Sequence, residues 1–214
     1  MCNFENINNK YNTEFTNRLY KNKNIFYEIF EACDFDFDKG CGSYLFDGQT
    51  YQYCDLMYNK QELLYNAIKD VKNVLEIGTY MGHSLLIMLL SNPNLKITCI
   101  DISDKYASKA VNILNKYFNN AITFIHSDSL IALPKLSNNF DFFHIDGCHT
   151  DDIITQEFKH ILRLNNSSNN ILKIIFDDLG CFNNLYNNII SKYNIINKII
   201  PESSWTNLYL EIQL

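Results

Sequence analysis

The stretch that most constrains the fold runs from Val71 to Leu90. An apolar segment, Val71 to Ile77, carries Glu76 near its end. Gly78, three residues, Gly82 and Ser84 follow, and then Leu85-Leu-Ile-Met-Leu-Leu90. This order reads as strand, glycine turn and helix. Glycines at such a turn let a ligand approach the backbone, and the helix start offers unpaired N–H groups to an anion. Glu76, at the strand's carboxyl end, is placed to accept hydrogen bonds from a ligand's ammonium or hydroxyl groups. The spacing is neither the dinucleotide Gly-x-Gly-x-x-Gly turn nor a P-loop, which needs a lysine.

The same unit recurs along the chain. Strands are expected at Lys96–Ile100, Ala121–Ile125, Phe140–Ile145 and Ile171–Phe176, with helices over Asp104–Phe118, Leu130–Leu136, Thr150–Leu164 and Phe182–Tyr193. Ile195–Ile200 and Trp205–Leu214 read as two closing strands, joined by a link too short for a parallel crossover. Repeated strand–helix units imply an α/β fold with a mostly parallel sheet and helices on both faces. Ahead of the first strand, Ile25–Cys33 and Met57–Ile68 have helical spacing, whereas residues 1 to about 24 are Asn- and Lys-rich and read as a loosely packed lead-in. Tyr44 to Tyr53 is irregular and aromatic, suited to a pocket wall. Asp34-Phe-Asp-Phe-Asp38 lacks the spacing and distal Glu of a calcium loop. Asn165 to Asn170 reads as a polar loop.

Acids mark the strand ends. Glu76, Asp101, Asp128, Asp146 and Asp177-Asp178 all lie at or just past predicted carboxyl ends, the edge along which open α/β sheets bind ligands. An acid after the second strand is placed for ribose hydroxyls. Asp146, Asp177 and Asp178 would repel one another unless a cation intervened, and an all-oxygen set suits Mg²⁺. His149, three residues after Asp146, titrates in the range a general base needs.

Glu-x-Gly-x-x-x-Gly-x-Ser over residues 76–84 resembles the first motif of class I S-adenosylmethionine (SAM) methyltransferases, and here most resembles the metal-dependent O-methyltransferases of the catechol and caffeoyl-CoA type. Asp146-Gly-Cys-His149 resembles the macrocin- and mycinamicin-type sugar O-methyltransferases. The resemblance implies a Rossmann-like seven-stranded sheet whose last strand is antiparallel, a methyltransferase domain over residues 59–214 and a small helical cap or lid over 1–58. It implies SAM held by Glu76, Gly78, Tyr80, Gly82, Ser84, Asp101, Asp128 and Asp146, with Asp101 on the ribose and Asp128 on the adenine amino group. It further implies a divalent ion, Mg²⁺ or similar, on Asp146, Asp177 and Asp178, and His149 as the base. The family has Asp-Asn where this chain has Asp177-Asp178. The expected reaction is methyl transfer to a hydroxyl of a small molecule or sugar. A non-catalytic SAM- or partner-binding module on the same fold is the alternative.

Composition bounds the partners. With 214 residues, 47% hydrophobic content and a net charge of −6, the chain supports a large core and disfavours a nucleic-acid backbone as partner. No apolar run reaches membrane length and the start is no signal peptide. Seven scattered cysteines without a Cys-x-x-Cys pair suggest reduced thiols in the cytoplasm. A homodimer is compatible with the sequence.

Overall fold

A computed structural model of the chain describes residues 4–137, 139–165, 170–202 and 206–214. Cys2, Trp205 and most of the Asn165–Asn170 loop therefore lie outside the described residues. Seven strands form one sheet: β1 (Asn73–Ile77), β2 (Lys96–Asp101), β3 (Ile122–His126), β4 (Phe142–Ile145), β5 (Ile171–Phe176), β6 (Asn194–Ile199) and β7 (Leu208–Gln213). Their spatial order is β3-β2-β1-β4-β5-β7-β6, with β1 to β5 parallel and β7 antiparallel to both its neighbours. The expected reversed last strand is present, inserted between β5 and β6.

The side-chain period of two divides the core. Val74, Ile97, Phe142, Ile175 and Tyr209 point to one face of the sheet, and Leu75, Ile100, Phe143, Ile174 and Leu210 to the other. Both faces are covered, which is why the central strands read as continuous apolar runs rather than alternating ones.

The helices are α1 (Phe4–Tyr11), α2 (Glu14–Lys21), α3 (Lys23–Ala32), α4 (Tyr58–Ala67), α5 (His83–Ser91), α6 (Ala107–Tyr117), α7 (Ser129–Ala132), α8 (Asp151–Leu164) and α9 (Asn183–Lys192). α7 continues as a single 3₁₀ turn at Leu133–Lys135. Elements after residue 70 match expectation to within three residues at most ends. β1 begins later than Val71 because Val71 closes a turn onto Ile68. Among the described residues no helix is long and apolar enough to cross a membrane.

The loosely packed lead-in is overturned. α1 and α2 bury Phe4, Ile7, Phe15 and Leu19 in the core that also contains Val74 and Phe142. Thr13 and Thr16 form a reciprocal capping box, which satisfies two of the helix's orphan N–H groups. Arg18 donates to the Leu90 carbonyl at 2.7 Å, at the far end of α5. The apolar residues are spaced for one helix face but are diluted by Asn and Lys, so composition masked the periodicity. The acids of 34–38 pair with lysines in and just before α6 instead: Lys109 reaches Asp34 at 2.6 Å and Lys105 reaches Asp38 at 2.8 Å. His83, inside the glycine turn, is fully buried, and its Nε2–H donates to the Tyr51 hydroxyl at 2.8 Å while that hydroxyl donates to the Phe26 carbonyl. Burial pushes its pKa down to about 3, so it packs as a neutral ring.

Candidate functional site

The strand order reverses between β1 and β4, and a cavity of about 760 Å³ opens there, outside the carboxyl ends of the parallel strands. Its floor comes from the loops after β1, β2, β3, β4 and β5. Tyr44, Met57 and Lys60 from the N-terminal region also line the cavity.

The glycine turn is built by close approach. Gly78 has φ +85°, and a Cβ there would lie 2.1 Å from the Asp146 carbonyl oxygen. Its N–H donates to the Ile100 carbonyl at 2.9 Å, and the Asp146 N–H donates to Ile77 at 2.8 Å. Gly82, φ +66°, starts α5 and faces Ala110 and Leu114 of α6. It is a helix-packing position and does not line the cavity, whereas Gly78, Tyr80 and Ser84 do.

Asp101 organises this turn. One of its oxygens accepts the Thr79 and Tyr80 N–H groups, each at 2.8 Å, and the other accepts Ser103 N–H at 2.8 Å. A carboxylate offers about four lone-pair directions, so the expected ribose acceptor already makes three backbone contacts while facing the cavity. Asp128 caps α7 through Leu130 N–H at 2.7 Å and also lines the cavity.

Glu76 is placed differently from expectation. It is fully buried, and its Oε2 contacts His144 Nδ1 at 2.8 Å. It does not line the cavity. His144 Nε2 in turn contacts the Tyr44 hydroxyl at 2.7 Å. A strand residue points to alternate faces, and Glu76 falls on the face covered by the N-terminal helices rather than at the rim.

The three aspartates expected to share an ion are divided. Asp146 and Asp177, with His144, have ligand atoms within 4.8 Å of one another. Asp178, with φ +50°, turns to His149 and accepts from Nδ1 at 2.7 Å. His149 Nε2 stands 3.9 Å from Asp146. Asp177 is paired with Lys60, whose Nζ lies 2.7 Å from Oδ2. Burial, and then the neighbouring Asp177 charge, hold the Asp146 carboxyl well above the usual range. A divalent ion does not fit this arrangement: two of its three carboxylates are already hydrogen-bonded to Lys60 and His149, and both His144 nitrogens are engaged.

The hydrogen bond to Asp178 raises the His149 pKa above 6.5 and lowers that of Asp178. Raised in the folded state, this group contributes stability below pH 6.5 that is lost as pH rises through its folded pKa. Asp178→Asn should return the imidazole toward 6.5 and flatten that part of the stability profile. An NMR titration of the ring protons checks this; an unshifted midpoint would remove Asp178 as the cause.

Sequence reasoning missed Lys60 and Glu157, whereas Tyr44, read as part of a pocket wall, does line the cavity. Lys60 had a readable signal, since it sits among Tyr58, Gln61, Leu64 and Tyr65 on the buried side of α4. Glu157 lies on α8, fully buried at the cavity wall. Its Oε1 accepts the Ser129 hydroxyl at 2.6 Å, and Oε2 has no partner among the described residues. Burial pushes its pKa up to about 7. Nothing in the sequence separates it from an ordinary surface glutamate.

Parallel β1–β5, the reversed β7 and a glycine turn at the switch point together make the fold of class I methyltransferases. Residues 75–172 match the family model described as a methyltransferase domain. An 85-residue segment is 39% identical to an Arabidopsis thaliana protein named as a candidate caffeoyl-CoA O-methyltransferase; it covers 37% of each chain. The chain thus spans little more than a third of that relative. The O-methyltransferase TomG of Streptomyces achromogenes, involved in tomaymycin synthesis and solved with SAM, superposes with a TM-score of 0.66 at 16% identity, covering 88% of this chain and 89% of that one. The N-methyltransferase NodS of Bradyrhizobium japonicum, solved with S-adenosyl-L-homocysteine, gives 0.57 at 13%, covering 74% and 87%. Oxygen and nitrogen methylation share this fold, so the fold alone does not choose the acceptor atom.

Proposed function

We propose that this chain transfers a methyl group from SAM to a hydroxyl oxygen of a small molecule. One observation carries the reading: the glycine turn and the His149–Asp178 pair open into a single cavity. The cavity suits the cofactor. Acids at Asp101 and Asp128 favour a ligand bearing sulfonium and ammonium charges, and Asp146 lines the same cavity. Ser84 lies at the start of α5, whose free N–H groups favour a carboxylate. Tyr80 is a wall for the cofactor's apolar parts. When bound, SAM supplies an electrophilic methyl group.

The protein's own residues do the rest. Asp178 holds the His149 ring with Nδ1–H donating, which leaves Nε2 to take the acceptor's proton. Tyr44 and Met57 cover the site from the N-terminal side and exclude water. The oxygen acceptor is supported by the Asp-Gly-x-His sequence and by the segment shared with the caffeoyl-CoA-type relative. The acidic lining favours a small hydroxyl compound over nucleic acid. Thiols at Cys33, Cys41, Cys99, Cys148 and Cys181 support a reducing, cytosol-like compartment.

Titration calorimetry with SAM tests the reading. Micromolar binding is expected, with Gly78 and Asp101 substitutions weakening it. Folded protein that takes up no SAM would sink the proposal. Binding without turnover of any hydroxyl compound would leave a non-catalytic SAM-binding module.

A further inference from the structure

Lys60 is the buried cation that the sequence reading left out. Its side chain is 5% exposed and that of Asp177 7%, with Nζ 2.7 Å from Oδ2. Nζ also stands 4.4 Å from the centre of the Tyr44 ring, within cation–π range. Tyr44 is fixed in turn: its hydroxyl accepts from Asn207 Nδ2 at 2.8 Å and contacts His144 Nε2 at 2.7 Å, and His144 Nδ1 contacts Glu76 at 2.8 Å. The hydroxyl has one proton, so the short His144 contact takes it in preference to Asp177 Oδ1 at 3.4 Å. Lys60 and Asp177 both line the cavity, beside Asp146 and His149.

A buried ammonium in this position has a physical reason. Glu76 and Asp177 are buried acids with Asp146 beside them, and a charged acid removed from water needs a positive partner. Mg²⁺ binds oxygen at about 2.0–2.1 Å. On Asp177 Oδ2 it would crowd an ammonium already in hydrogen-bond contact with the same atom, and the two cations would repel strongly where water is scarce.

We propose that the ε-ammonium of Lys60 is the resident cation of this acid cluster, standing where the resemblance calls for a divalent metal. It neutralises Asp177 at the acceptor end of the cavity, with ammonium protons beyond the Asp177 contact turned to the acceptor oxygen. This rests on the methyl-transfer reading only for the acceptor; the choice of cation stands on the cluster itself.

Mn²⁺ titration of the full chain, followed by the paramagnetic resonance of free Mn²⁺, decides between the two cations. The wild-type protein should leave the free signal undiminished at micromolar metal. Lys60→Met should expose the carboxylates and bind one equivalent at least about tenfold more tightly than wild type. Lys60→Met/Asp177→Asn, which removes the buried pair together and avoids an unpaired charge, should fold and bind none. One equivalent bound by the wild type at micromolar Kd would overturn the proposal, whether or not Lys60→Met folds. SAM calorimetry on the same samples separates the two readings. Loss of SAM binding in the wild type would defeat methyl transfer, and the Mn²⁺ result would still decide the cation.

Discussion

Replacing His149 with alanine should lower turnover by about 10²- to 10⁴-fold and leave SAM affinity within about threefold. The ring lies at the cavity wall with 36% of its side chain exposed, and its contacts are to Asp178 and, at longer range, Asp146. None is to the glycine turn, so removing it should not disturb the cofactor end. The wild-type rate should rise with pH as the imidazole loses its proton, through a midpoint above 6.5 set by Asp178. In the alanine variant that acid limb should vanish. A pH–rate profile with the acceptor the wild type uses, run beside SAM calorimetry, checks both halves. An alanine variant with wild-type turnover would remove His149 as the base.

Gly78→Ala should cost stability and cofactor together. The new Cβ would meet the Asp146 carbonyl oxygen at 2.1 Å, the Asp146 carbonyl carbon at 2.4 Å and Gly147 Cα at 2.7 Å. All three are backbone atoms, so no rotamer change relieves the contact. The loops after β1 and β4 must separate, which breaks the Asp146 N–H to Ile77 bond. The backbone there is also left-handed, at φ +85°. A loss of about 4 kcal/mol or more is expected, lowering the melting temperature by roughly 8–16 °C in a chain of this size. Gly180→Ala is the control: nothing lies within 4 Å of its added Cβ, and its effect should stay within about 0.5 kcal/mol. Equal melting temperatures for the Gly78 variant and wild type would show that the close approach is not needed.

The strands after residue 70 were legible because their signals are local. β5 announces itself as Ile171-Leu-Lys-Ile-Ile-Phe176 between polar segments, and the glycine turn by two glycines at fixed spacing. The N-terminal helices were not legible as packed structure. Phe4, Ile7, Phe15 and Leu19 are spaced for one face, but what buries them is Tyr53, Tyr58 and the outer surface of α5, far along the chain. Site residues divide in the same way. Asp128 and Asp146 end strands and line the cavity, as their positions suggest. Glu76 ends a strand too, yet its side chain falls on the covered face and meets His144.

By itself the sequence determined the parallel sheet, its reversed closing strand, the turn at its switch point and the acids at the strand ends, all but Glu76 of which line the cavity. These follow from periodicity and from residues that permit or forbid a local backbone conformation. Tertiary structure alone decided how those acids are paired. Asp177 goes to Lys60, 117 residues away, Asp178 to His149 and Asp101 to the glycine turn. Charge pairing depends on distances of a few ångströms between side chains from different elements, and burial fixes which pairs form, because an acid removed from water must take the donor that packing puts beside it.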